Sequence, residues 1–116
     1  MNIWASKKDI DIKHLLLMLT ERFQPNSFEI IDSPSDNEKS IRMGNIALTD
    51  TQLYVFTYGQ DTDLYGVHIE YPNRLETNYN DTLEIYENIS FSTLVNIMIT
   101  NLEIPLNDTN LVVGSK

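Results

Sequence analysis

Apolar residues recur at intervals of three and four at Ile12, Leu15, Leu16, Leu19 and Phe23, the spacing of one face of a helix. Lys13, Glu21 and Arg22 fall off that stripe. The pattern predicts a first helix over about residues 7–23, stopped by Pro25. Ser6 is the expected cap, with Asp9 three residues on in a capping-box-like arrangement that sets a carboxylate at the positive end of the helix dipole. The same period returns at Phe91, Leu94, Val95, Met98 and Leu102, widened by Ile97 and Ile99. Ser90 is placed to cap this second helix, and Ile89 and Leu94 have the spacing of a hydrophobic staple. Pro105 bounds it.

Between these stripes the period shortens to two. Tyr65, Val67, Ile69 and Tyr71 alternate with Gly66, His68 and Glu70 and end at Pro72, a half-buried strand. Residues 53–58, Leu-Tyr-Val-Phe-Thr-Tyr, are β-branched and aromatic on both faces, which predicts a central strand covered on both sides. The turn at 59–63 pairs the two as a hairpin. Further strands are expected at 28–32, at 41–48 with a bulge or bend at Gly44, and over a short piece at 83–86. Asp50 and Thr51 read as a turn, and 33–40 and 73–81 as polar loops. Leu111, Val112 and Val113 either add an edge strand or fray with the C-terminus. The order predicts a single α+β domain over residues 1–116: an N-terminal helix, an antiparallel sheet of about four to five strands, and a C-terminal helix packed on one face.

Charge changes this picture from a generic domain to an asymmetric one. The chain of 116 residues has a formal net charge of −9. Nearly all of it is regional: residues 44–116 hold ten acidic side chains against Arg74 and Lys116, while the first 43 residues are almost balanced. Solubility does not require so complete an absence of lysine. A broad negative potential attracts cationic surfaces and speeds encounter with them. Direct nucleic-acid binding through phosphates needs clustered Lys and Arg and is disfavoured. With no cysteine, disulfides, thiolate catalysis and Cys-based metal sites are excluded. The longest apolar run, residues 15–19, is far below the roughly 20 residues of a membrane span. The N-terminus lacks the basic-then-apolar order of a secretion signal, so a cytoplasmic protein without membrane association is expected.

Specific chemistry is sparse. Asp61, Asp63 and Gly66 occupy positions one, three and six of an EF-hand loop, but Tyr65 stands at position five and Pro72 where the bidentate glutamate belongs. His68 and Glu70 share one strand face, so a small enzyme or ligand-binding domain centred on them is the reading from another class. No nucleophile or phosphate loop accompanies them, and no cofactor is expected. Carboxylates interleaved with tyrosine suit a partner rich in Lys and Arg. The candidate partner-binding residues are therefore Asp61, Asp63, Tyr65, Glu70, Glu76, Tyr79, Asp81, Glu84 and Glu87.

In size, acidity, lack of cysteine and helix-strands-helix layout the chain resembles the small immunity proteins of bacterial toxin systems. That resemblance implies a non-enzymatic, stoichiometric inhibitor that binds a basic toxin or nuclease domain. A phage-type mimic of nucleic acid, acting on a nucleic-acid enzyme, is the alternative with the same electrostatics. The oligomeric state is left open by the sequence.

Overall fold

Helix α1 (Ile10–Arg22) leads into a sheet of strands β1 (Glu29–Ile30), β2 (Ser40–Asn45), β3 (Leu48–Phe56), β4 (Tyr65–Pro72) and β5 (Asn80–Ile89), and helix α2 (Phe91–Leu102) follows. The computed structural model describes residues 8–31, 37–45, 47–72 and 80–107, with only the backbone described at 48–50, 72 and 80–83. All four strand pairings are antiparallel, and the spatial order β1-β2-β3-β4-β5 is the chain order. This is the expected α+β architecture, with five strands among the described residues. No described helix is long and apolar enough to cross a membrane.

One face of the sheet carries the core. In register, Ile41 stands opposite Val55 and Val55 opposite Val67, while Met43 stands opposite Leu53 and Leu53 opposite Ile69. These residues are buried in one cluster with Ile12, Leu15, Leu16 and Leu19 of α1 and Leu94, Val95, Met98 and Leu102 of α2. Both apolar stripes read from the sequence thus close on the same sheet face, each large side chain contributing roughly 1.5–3 kcal/mol through burial. Phe23 and Phe28 extend the cluster edge to face, with ring centroids 6.2 Å apart.

The opposite face is covered differently from expectation. Tyr54, Phe56 and Tyr58 alternate along β3 and beyond it, and among the described residues their rings and that of His68 cover one another. Phe56 stacks on Tyr58 at 4.7 Å and meets the His68 ring edge-on at 5.1 Å. Gly66 lies opposite Phe56 in the register, and the Phe56 ring fills the space where a Cβ would stand.

Element ends also depart from the sequence reading. Asp9, not Ser6, occupies the cap position of α1, and its carboxylate makes no cap hydrogen bond. It accepts from Lys39 Nζ at 3.1 Å instead. Asp50 and Thr51 continue β3, and the chain reverses earlier, where Asn45 Oδ1 accepts from the Ala47 N–H at 2.9 Å. The same Asn45 donates through Nδ2 to the Leu102 carbonyl at 2.8 Å, tying this reversal to the end of α2. The bulge foreseen at Gly44 is present as a register shift between Gly44 and Asn45. Residues 83–86 prove to be part of the ten-residue β5. Ser90 caps α2 as expected, its Oγ accepting from the Thr93 N–H at 3.2 Å. Leu111 to Val113 fall outside the described residues.

Candidate functional site

Residues 57–64, between β3 and β4, form two consecutive turns. The Gln60 N–H donates to the Thr57 carbonyl at 3.2 Å and the Leu64 N–H to that of Asp61 at 3.0 Å. Gly59 and Asp63 take left-handed backbone angles, with φ of 71° and 62°, which glycine and aspartate adopt at little steric expense. Asp61 and Asp63 are left exposed at the tip.

Two reciprocal contacts fasten this loop to β5. The Asp61 N–H donates to Asn88 Oδ1 at 2.8 Å, and the Asn88 N–H donates to Gln60 Oε1 at 2.5 Å. Gln60 Nε2 also reaches the Glu87 carboxylate at 3.5 Å. Asn88 itself sits at φ 52°, beside the register shift between Tyr65 and Val67 that bulges the β4–β5 ladder. The acidic loop is therefore carried as part of the sheet edge.

On its other side the loop faces α1 across a cleft of about 880 Å³. Asp11, His14, Leu17 and Met18 of α1 line it, with Lys39 and residues 57–65. Three carboxylates, those of Asp11, Asp61 and Asp63, stand around it. Tyr65 is 6% exposed and belongs to the core cluster, so its body is core and only its edge reaches the cleft. Its hydroxyl is pushed up from the ordinary tyrosine value by burial and then by the negative charges of Asp63 and Asp11. Lys39, the cation of the lining, is paired to Asp9, whose hydrogen bond and charge raise the ammonium pKa.

The proposed residues do not all converge. Glu84 and Glu87 are exposed on β5, continuous with the latched loop. Tyr86 donates its hydroxyl to Glu84, and that bond is the main cause of the raised Tyr86 pKa. Glu70 lies on the aromatic face of the sheet, with His68, where Arg42 of β2 takes its carboxylate in an ion pair. The Arg42 guanidinium also lies over the Tyr54 ring, 4.8 Å from its centroid. Asp81 pairs with Tyr71 in the β4–β5 register, while Glu76 and Tyr79 fall outside the described residues. Asp11 and His14 join the site without having been singled out. Their signal was present: spaced three apart, they lie on the polar side of the α1 stripe.

His68 packs at 5.6 Å from the Tyr54 ring, and among the described residues no hydrogen bond joins it to Glu70. The cleft is lined by the other histidine, His14. Among the described residues no three His, Asp or Glu side chains are grouped as metal ligands. The arrangement offers dispersed negative charge beside aromatic and aliphatic surface, suited to a cationic protein surface. Compared with protein-family models, with curated proteins and with solved structures, the chain matches none of them.

Proposed function

We propose that this protein is a non-enzymatic acidic binding protein of the immunity type, which binds a basic toxin or nuclease domain and blocks it. The observation that carries this reading is the grouping of Asp11, Asp61 and Asp63 around one cleft, with Glu84 and Glu87 on the strand to which the loop is latched. A nuclease groove that holds phosphates presents Lys and Arg in an extended array. Carboxylates held on a sheet edge oppose such an array without reorganising, so steering accelerates encounter and the docked protein excludes substrate. A cytoplasmic site of action, where a toxin would meet its target, accords with this role.

Co-expression tests it. A cationic toxin domain encoded beside this gene is expected to arrest growth alone and to be tolerated when the protein is present. Failure to protect overturns the function. Full protection by an Asp61→Lys/Asp63→Lys variant overturns the assignment of the site.

A further inference from the structure

Strand β5 is the outer strand of the sheet: among the described residues it pairs with β4 alone. It is ten residues long, and residues 84–88 are exposed one after another. Long exposed edges are templates for a further strand, and proteins ordinarily blunt them with charges, bulges or short length. Here the blunting is partial. Register shifts flank both ends, but Glu84, Ile85 and Tyr86 pair regularly with Ile69, His68 and Val67 between them. Within this regular stretch Ile85, on the face of His68, is 59% exposed and Tyr86, on the opposite face with Val67, is 37% exposed, so large apolar surface borders the edge on both sides.

We infer that β5 accepts an extended segment of a cationic polypeptide as a sixth strand, centred on Ile85 and Tyr86 and flanked by Glu84 and Glu87. This deepens the immunity-type reading and rests on it for the partner's charge. Backbone hydrogen bonds would supply affinity, and specificity would come from alternation: basic side chains toward Glu84 on the face it shares with Tyr86, and apolar ones over Ile85 on the other face. A second copy of the chain is a poor occupant. Pairing two β5 edges would bring Glu84 and Glu87 of both copies together and join two chains of charge −9.

The test is an NMR titration of the full chain with a short peptide alternating lysine with valine. Its glutamate-valine counterpart and a lysine-proline peptide, which lacks the N–H groups a strand must donate, serve as controls. Binding of the lysine-valine peptide is expected to shift the amides of residues 84–88 and slow their hydrogen exchange, with neither control doing so. Ile85→Lys should weaken that binding about tenfold, as loss of a central apolar contact does. Ile85→Thr, which keeps a strand-forming side chain, should weaken it in the same direction. Equal binding of the lysine-proline peptide, shifts confined to Asp61 and Asp63, or no shift at all would each overturn strand addition. So would a stable dimer through β5 that excludes the peptide. Shifts confined to the loop leave the basic-partner function standing, whereas strand addition at β5 without protection in the co-expression assay sinks that function alone.

Discussion

Gln60 and Asn88 hold the acidic loop to the sheet edge from both sides: the Asn88 N–H donates to Gln60 Oε1 at 2.5 Å, while Asn88 Oδ1 accepts from the neighbouring Asp61 N–H at 2.8 Å. Neither side chain is charged, yet together they fix where charge is displayed. Asp61 and Glu87 then ride on one unit, so the partner proposed above would meet a preformed array instead of having to order a free loop.

Asn88→Ala removes the acceptor and leaves a Cβ-bearing residue at φ 52°, so it is expected to cost about 2 kcal/mol. Asn88→Gly keeps the backbone comfortable and loses only the side-chain bond, about 1 kcal/mol. Urea denaturation gives both values. Hydrogen exchange of residues 60–64 should accelerate in both variants, and equal stability of the two would show that the left-handed backbone is not constrained by the fold.

Arg42 and Glu70 form the half-buried ion pair of the aromatic face, with Arg42 also over Tyr54. Arg42→Met leaves the half-buried Glu70 carboxylate without the guanidinium beside it and should destabilise by about 2 kcal/mol, and Glu70→Met removes the same pair from the other side. The double variant Arg42→Met/Glu70→Met should recover much of that loss. Additive losses in a denaturant series would show the two groups to be independent.

Phe56 leaves no space above Gly66, because the ring occupies the position of a Cβ. Gly66→Ala is expected to displace the ring from its stack with Tyr58 and His68 and lower stability by about 2 kcal/mol. Near-ultraviolet circular dichroism should lose intensity together with the fall in Tm. A variant as stable as the parent would mean that the sheet shifts to admit the methyl group.

Tyr58 ionises late. Burial, and then the hydrogen bond with Tyr54 at 3.0 Å between hydroxyls, push its pKa up to about 12. Its folded-state value therefore lies above the unfolded one, so the contribution to stability is complete below about pH 10 and disappears as pH rises toward 12. Ultraviolet titration should show a late-ionising tyrosine whose midpoint falls in Tyr54→Phe. An unchanged midpoint would remove the hydroxyl contact as a cause.

The helices were legible because their stripes are long and periodic, and Ser90 and Pro105 mark α2 at both ends. The start of α1 was not, since Asp9 stands at the cap and is drawn to Lys39, a contact made across thirty positions of sequence. Strand β5 was under-read for a related reason. At the sheet edge neither face of residues 84–88 is buried, so no alternation marks them. The hairpin at Asp61 and Asp63 followed from Gly59 and the turn residues, but its latch to Asn88 pairs segments that local pattern cannot join. Glu70 shows the same limit. Its strand face was read correctly beside His68, and the partner that neutralises it, Arg42, comes from another strand.

The most direct measurement is calorimetric titration of the full chain with a purified cationic toxin or nuclease domain encoded beside its gene, at low and physiological ionic strength. Binding should be stoichiometric, weaken as salt rises, and fall by about tenfold or more in an Asp61→Lys/Asp63→Lys variant that remains folded. No binding, or an affinity indifferent to both salt and those two reversals, would contradict an acidic docking edge.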